Sequence, residues 1–234
     1  MFYGPAMENE ITGIILDSQE RGRSSRYVKL LSNEGAVFVL VPKSQGQSQW
    51  SDLTQPLHLV RYMVQESSRG SIFKEGVVDE RFSGIRRQYA LIDAAQKMRL
   101  VALKIVKPGL PCPDFFQILQ IHLQALSNES YQHISAGAIL SSFLLKTLIH
   151  EGLFSSVNFP QCSLCQKQSE FMSLAKTFEW YCHEHSNYSL NPLWFDQHKR
   201  EQLLFLAQNR RLSALSQLGE SDLSPTLLPL ILAL

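Results

Sequence analysis

The sequence predicts an α+β protein in which a small N-terminal β-barrel precedes an α-helical bundle with a cysteine-rich insertion. Three observations predict this architecture. Short β-branched and aromatic runs fill residues 11–80, an apolar pattern of helical period follows them, and three of the four cysteines lie close together near the middle of the second half. We therefore expect one domain over residues 1–80 and a helical domain over 81–234, with an insertion at about 160–186.

The composition indicates a globular protein with a sizeable core. The chain has 234 residues, of which 44% are hydrophobic and 18% charged, so extended disorder is not expected. Its longest apolar stretch, AGAILSSFLLKTLI, is interrupted by serine and lysine before the length of a bilayer span, and the N-terminus MFYGPAMENE has neither a basic start nor an apolar run. We expect a cytoplasmic protein without membrane association.

The first domain is predicted to consist of five strands separated by polar turns. Five short strands within about seventy residues are typical of an oligonucleotide-binding (OB) barrel. A small SH3-like barrel or an open meander would give a similar pattern. The predicted strands are ITGIIL, RYVKLLS, AVFVLV, LHLVRYMV and IFKEGVV.

The second domain is predicted to be helical because its apolar residues recur every three or four positions. The stretch 134–149 is apolar nearly all round, which indicates the central buried helix of a bundle. The segment 196–219 is predicted to be another helical stretch, and the terminal LLPLILAL is either a last core segment or a partner-binding end. The apolar faces of the first two helices are formed by Leu91, Ala95, Met98, Ala102 and Ile105, and by Phe116, Leu119, Leu123 and Leu126.

The cysteine-rich insertion has the ligand spacing of a structural zinc site. Two residues separate Cys162 from Cys165, sixteen residues follow before Cys182, and two more before His185. Each pair can form a tight turn that supplies one edge of a tetrahedron, and four protein ligands leave no open position for catalysis. We predict one structural Zn²⁺ per chain. His183 competes with His185 for the fourth position, and three buried reduced cysteines beside a surface histidine remain the alternative.

The sequence does not indicate an enzyme. Zinc deaminases combine a Pro-Cys-x-x-Cys turn with an upstream His-x-Glu, whereas here Gln161 separates Pro160 from Cys162, and His150 and Glu151 are adjacent. No paired carboxylates, phosphate-binding loop or activated nucleophile stands out. We expect no catalytic residues and no turnover.

Nucleic-acid binding would have to come from local basic patches, because the net charge is only +1. The loops that flank the binding face of an OB barrel carry such a patch, although a solvated loop would look similar. A stripe on the first helix, formed by Arg86, Lys97 and Lys104, is a second candidate. The predicted DNA contacts on the barrel are Arg21, Arg23, Arg26, Lys29, Lys43 and Arg69.

The order of these parts resembles the RecO family of bacterial recombination mediators. The opening ITGIILDSQERGRSSRYVKLLSNEGAVFVLVPKS is similar to the start of that family, and PCPDFFQILQIHLQALS and FLLKTLIHEGLFSS are similar to its helical core. The C-x2-C and C-x2-H pairs follow late in the bundle. The stretch after the third strand is usually basic in the family but carries only Lys43 here, and the basic tail is replaced by LLPLILAL.

The resemblance implies a non-enzymatic protein of DNA repair and recombination that is associated with the nucleoid. It implies binding to single- and double-stranded DNA, annealing of complementary strands coated with single-stranded DNA-binding protein (SSB), and loading of RecA together with RecR. A zinc-stabilised protein-interaction scaffold without direct DNA binding is the alternative.

Overall fold

The computed structural model of the chain divides into two compact units, residues 1–127 and 128–234. The change from strands to helices falls inside the first unit, so the predicted domain boundary at residue 80 stays a prediction. The structure describes residues 8–42, 50–67, 70–154, 161–167, 172–174, 179–188, 193–209, 211–219 and 222–232.

The first unit begins with a closed five-stranded barrel. Its strands are β1 (Glu8–Glu20), β2 (Ser25–Ser32), β3 (Gly35–Pro42), β4 (Leu59–Ser67) and β5 (Gly70–Glu80). They follow the order β1-β2-β3-β5-β4, in which β3 and β5 are parallel and the other neighbours antiparallel. This confirms the predicted OB-like barrel, and the closure excludes the open meander.

Side chains alternate between the interior and the exterior of the barrel along each strand. In β2, Val28 and Leu30 are buried inside, whereas Tyr27 and Lys29 lie on the outer face. Tyr62 of β4 is fully buried and its ring packs edge-on against Phe73, with 4.9 Å between the ring centroids. The interior of the barrel is therefore a packed core of side chains.

Two helices complete the first unit. Helix α1 (Tyr89–Ile105) and helix α2 (Pro113–Ser127) cover the predicted stretches. Two hydrogen bonds fix α1 to the barrel, because Arg99 Nη1 donates to the Leu16 carbonyl oxygen at 2.9 Å and Lys29 Nζ donates to the Leu103 carbonyl oxygen at 3.4 Å. The predicted apolar faces are buried in both helices, except that Leu91 and Ile105 are half-buried.

The second unit combines three helices with a small sheet. Helix α3 (Ala136–His150) is buried nearly all round, as predicted, and packs against α4 (Gln197–Gln208) and α5 (Ser224–Leu232). The strands β6 (Met172–Leu174), β7 (Trp180–Cys182) and β8 (Leu193–Phe195) form an antiparallel sheet in the order β7-β6-β8. No helix among the described residues is long and apolar enough to span a bilayer.

The helical stretch predicted over 196–219 consists of two separate helices. Helix α4 ends at Gln208, and a separate 3-10 helix covers Leu212–Leu218. Asn209 causes the break, because its backbone is extended and both its backbone N–H and its side-chain amide donate to the Phe205 carbonyl oxygen, at 3.0 and 2.8 Å. An asparagine side chain that bonds to the backbone in this way competes with continued helix.

Candidate metal centre and nucleic-acid surface

Cys162 and Cys165 lie on a tight turn that brings both thiols to one side. The Gln166 N–H donates to the Cys162 carbonyl oxygen at 2.8 Å, and the Cys162 N–H donates to the Lys167 carbonyl oxygen at 3.1 Å. Gln166 closes the turn with φ of 60°, a left-handed conformation that glycine adopts more readily. The turn is anchored to β7 because the Ser163 N–H donates to the Trp180 carbonyl oxygen at 2.8 Å.

The second pair of predicted ligands comes from the end of β7 and the 3-10 helix that follows it. Cys182 is the last residue of β7, and His185 lies in the helix His183–Tyr188. This helix turns the imidazole of His185 back toward the thiols, with Nδ1 at 3.2 Å from Cys182 Sγ and 3.4 Å from Cys162 Sγ. The two turns thus converge from opposite sides of one small space.

The four ligand atoms have the spacing of a tetrahedral metal site. They all lie within 4.8 Å of one another, and Cys165 Sγ is 3.8 Å from Cys182 Sγ. Zinc bonds of about 2.3 Å to sulfur and about 2.0 Å to nitrogen correspond to tetrahedron edges of about 3.8 Å between sulfurs and about 3.5 Å between sulfur and nitrogen. Cys162, Cys165, Cys182 and His185 can therefore hold a metal ion, and their chemistry suits zinc.

The electrostatics of the cluster favour the thiolate form of Cys162. Burial opposes ionisation of this thiol, but hydrogen bonds from the backbone N–H groups of Cys165, Cys182 and Leu164 outweigh it and lower its pKa to about 6. Burial raises the pKa of Cys182, and the neighbouring thiols raise it further. A divalent cation would offset the repulsion between neighbouring thiolates, because it stabilises every thiolate that binds to it.

His183, the competing candidate ligand, lies outside the cluster. Its side chain is exposed, and its ring lies 5.9 Å from the ring of Trp194 in β8. His150 and Glu151, considered as part of a catalytic site, hydrogen-bond to each other, with 3.0 Å between His150 Nδ1 and Glu151 Oε1.

Some of the predicted DNA contacts on the barrel are exposed, and others already form ion pairs or hydrogen bonds within the protein. Arg21 and Arg23 are exposed in the β1–β2 loop. Arg26 forms an ion pair of 3.4 Å with Glu20 and lies over the ring of Trp50, and Lys29 is held by the Leu103 carbonyl oxygen. Lys43 and Arg69 lie outside the described residues.

Aromatic rings accompany these cations on the outer face of β2 and β3. The ring centroids of Tyr27 and Phe38 are 6.1 Å apart, and 39% of Phe38 is exposed. The Arg21 guanidinium lies 4.9 Å from the Tyr27 ring, and Lys29 Nζ lies 5.8 Å from the Phe38 ring. We call these four residues the outer β2–β3 surface. It combines cations with aromatic faces, as surfaces that bind single strands do.

Phe38 was not predicted as a functional residue. The alternation of β3 could have found it, because burial of Val39 and Val41 on the inner face places Phe38 on the outer face. The strand register adds its neighbour, since Phe38 pairs with Lys29 of β2. The prediction that Arg86 lies on the first helix is wrong, because Arg86 belongs to a separate 3-10 helix, Ser83–Arg87, that precedes α1. Its Nη2 lies 3.5 Å from His58 Nε2, whereas Lys97 Nζ of α1 bonds Asp93 Oδ2 at 2.6 Å.

Comparison with known proteins shows similarity to proteins of DNA repair. No family model matches the chain. The DNA repair protein RecO of Chlamydia trachomatis serovar L2 is 23% identical over 218 residues, which cover 92% of this chain and 86% of the relative. The DNA repair protein RecO of Chlamydia muridarum is 21% identical over 217 residues, which cover 92% of this chain and 89% of the relative. Together with the closed barrel, the helices and the Cys3His cluster, this similarity supports a RecO-like protein at the level of the family.

Proposed function

We propose that this protein is a non-enzymatic mediator of recombinational DNA repair that binds single- and double-stranded DNA. The observation that carries the proposal is the similarity to proteins named DNA repair protein RecO along 92% of the chain. In this function it anneals complementary strands coated with SSB and, with RecR, helps to load RecA. The Cys3His cluster holds one zinc ion in a structural role, since all four ligands come from the protein.

The outer β2–β3 surface, together with Arg23 of the β1–β2 loop, supports direct binding of single strands. Arg21 and Arg23 are exposed and available to phosphates, and Tyr27 and Phe38 offer ring faces on which bases can stack. The alternative function, a zinc-stabilised scaffold without DNA binding, is favoured by the engagement of Arg26 with Glu20 and of Lys29 with Leu103, which leaves a small patch.

A salt series separates the two functions. We expect fluorescence anisotropy to show single-strand binding that weakens with salt, and each phosphate-binding cation that is removed should reduce the slope of log affinity against log salt by roughly 0.7. Replacing Arg21, Arg23 and Arg26 by alanine should therefore reduce the slope by up to about 2. The charge-matched control replaces Lys74, Lys97 and Lys104, which lie on β5 and α1.

Superimposable titrations of the wild type and the Arg21, Arg23 and Arg26 variant, with both proteins folded by circular dichroism, would exclude the barrel loop as the DNA site. Loss of binding in the control variant would then assign binding to the cations on β5 and α1. If the wild type does not bind DNA at low salt, direct DNA binding is excluded and the scaffold function is favoured. Annealing of SSB-coated complementary strands, measured with and without RecR, tests the mediator activity itself.

A further inference from the structure

The first unit also contains a cleft that shares no residue with the outer β2–β3 surface. This cleft of about 250 Å³ opens between the segment that precedes β4, the segment that follows β5, and α1. We call it the barrel cleft. Its polar lining includes Gln55, His58, Arg81, Arg86 and Gln96, and its apolar lining includes Leu57, Phe82, Ile85 and Ile92.

Two walls of the barrel cleft contain residues in strained backbone conformations. Leu57 has φ of 65° and Phe82 has φ of 45°, although neither is glycine. Left-handed backbone is unfavourable for residues other than glycine and persists where surrounding contacts enforce it, often at functional sites. Here hydrogen bonds to β1 enforce the first, because the Leu57 N–H donates to the Ile15 carbonyl oxygen at 2.8 Å and the Ile15 N–H donates to the His58 carbonyl oxygen at 2.9 Å.

A buried histidine positions one of the two arginines. His58 is 1% exposed, and its Nδ1 lies 2.8 Å from the Asp52 carbonyl oxygen, so Nδ1 is the donor. In the neutral ring Nε2 is then an acceptor, and it lies 3.5 Å from Arg86 Nη2. Burial lowers the pKa of His58, which keeps the ring neutral and preserves this acceptor near neutral pH.

The cleft has an uncompensated positive charge. The Arg81 guanidinium is neutralised by Asp52, because Nε and Nη2 bond to Oδ2 at 3.2 and 3.0 Å. Arg86 forms no ion pair with any carboxylate in the part of the chain that the structure describes. Gln96 Oε1 accepts a hydrogen bond from Arg99 Nε at 2.8 Å, which leaves its NH2 group as a further donor. The polar side of the cleft therefore suits a small anion.

The apolar side chains and the volume of the cleft limit which ligands it can bind. Leu57 and Ile85 are buried in two different walls, and Ile92 of α1 is 38% exposed at the rim. The volume is smaller than the 300 to 1,000 Å³ or so of typical small-molecule pockets, so the cleft accepts about one nucleotide unit and not a strand that passes through. A terminal phosphomonoester carries about −1.5 to −2 charges at neutral pH, more than the single charge of each internal phosphate.

We propose that the barrel cleft binds the phosphorylated terminal nucleotide of a DNA strand, with the phosphate on Arg86 and Gln96 and the nucleoside against Leu57, Ile85 and Ile92. This inference rests on the DNA binding proposed above and extends it to recognition of strand ends. A free nucleoside monophosphate presents the same chemistry and would occupy the same cleft.

The test compares two oligonucleotides of one sequence that differ only in a 5′-phosphate or a 5′-hydroxyl group. We expect the wild type to bind the phosphorylated strand roughly tenfold more tightly in anisotropy titrations. Arg86→Ala should abolish this ratio, and so should Ile92→Glu, which places a carboxylate at the exposed rim without disturbing the core. Lys74→Ala removes one positive charge from the exposed part of β5, outside the cleft, and should leave the ratio unchanged.

Equal binding of the two strands by the wild type would overturn the proposal while leaving DNA binding intact. So would a preference for the phosphorylated strand that persists in both Arg86→Ala and Ile92→Glu. If the wild type binds neither strand, the function proposed above fails, and the cleft is tested with deoxyadenosine monophosphate instead. Thermal stabilisation of the wild type by this nucleotide, lost in Arg86→Ala, would support the cleft as a nucleotide site. No stabilisation of the wild type would overturn the proposal.

Discussion

The choice between two histidines determines the metal site at the level of single residues. His185 Nδ1 lies 3.2 Å from Cys182 Sγ, whereas His183 is exposed beside Trp194. We expect His185→Ala and Cys165→Ser to lose zinc and to lower the melting temperature, because structural zinc contributes on the order of ten kcal/mol in isolated fingers. His183→Ala is the matched control and should retain one zinc per chain. Elemental analysis of protein purified without added metal gives the zinc content.

The opposite pattern, metal retained in His185→Ala and lost in His183→Ala, would assign the fourth ligand to His183. A folded wild type with a metal content near zero would contradict the zinc proposal and would mean that the cysteines are ordinary buried thiols.

Gly35 is a position where one methyl group should disrupt the first unit. It is the first residue of β3, directly after the turn from β2, and has φ of 95°. A Cβ there would collide with the Leu110 carbonyl oxygen and approach that of Lys107 to 3.0 Å. We expect Gly35→Ala to lower the free energy of unfolding by roughly 2 to 4 kcal/mol, since backbone strain and a steric clash add. Urea denaturation measures this change.

Gly109 provides the control for Gly35, because it has φ of 69° but nothing within 4 Å of an added Cβ. Gly109→Ala should cost only the strain, about 1 kcal/mol. Equal effects of the two substitutions would mean that the close approach of Leu110 to the turn does not limit this position.

The paired strands β2 and β3 are the element on which DNA binding should depend. Tyr27 faces outward, next to Phe38 and under the guanidinium of Arg21. Tyr27→Leu keeps an apolar side chain and removes the ring, so we expect the affinity for single-stranded DNA to fall by 1 to 3 kcal/mol or so without a change in the salt slope. The measurement is an anisotropy titration at several salt concentrations. An affinity equal to that of the wild type would show that bases do not stack on this ring.

The regular elements were predictable because each is long enough to show its period. The apolar spacing in α1 and α2 persists over several repeats, and the barrel strands are β-branched and aromatic runs between polar turns. The cysteine turns were predictable from spacing alone, because two residues between ligands suffice to form a turn around a metal. These two signals predict the fold class and bring Cys162, Cys165, Cys182 and His185 together.

The short strands and the barrel cleft were not predictable from the sequence. Strands β6 and β8 have three residues each, which is too few for a period of two to stand out. The cleft depends on left-handed backbone at Leu57 and Phe82, and neither residue type signals such a conformation. The sequence indicates Arg86 as a candidate cation, but its neighbour His58 comes from a segment 28 positions away, so their proximity required the fold.

For the molecule as a whole, zinc removal should affect one part of the chain and spare another. The core around the cluster is small: Cys162, Met172, Tyr181 and Cys182 are buried, with Cys165 and Trp180 packed against them. So few apolar side chains cannot fold a segment without the metal. We expect a chelator to abolish hydrogen-exchange protection in β6, β7 and residues 183–188, and to leave it unchanged in the barrel. Unchanged protection around a demonstrably metal-free cluster would contradict this.

The closure of the barrel depends on its shortest ladder. In the ranges described above, β3 and β5 pair at Val39 with Ser71 and at Leu40 with Ile72, whereas β2 and β3 pair along their whole lengths. Separating β3 from β5 breaks fewer hydrogen bonds than separating β2 from β3, so we expect the barrel to open locally between β3 and β5, which we call the seam. The backbone amides of Leu40 and Ile72 should therefore exchange their hydrogens faster than those of Val28 and Leu30. Phe38 is next to Val39 at the seam, so a DNA strand that binds more tightly to the closed barrel would stabilise the pairing of β3 with β5. Substitutions that loosen the seam would then weaken DNA binding although every side chain that touches the DNA is still present.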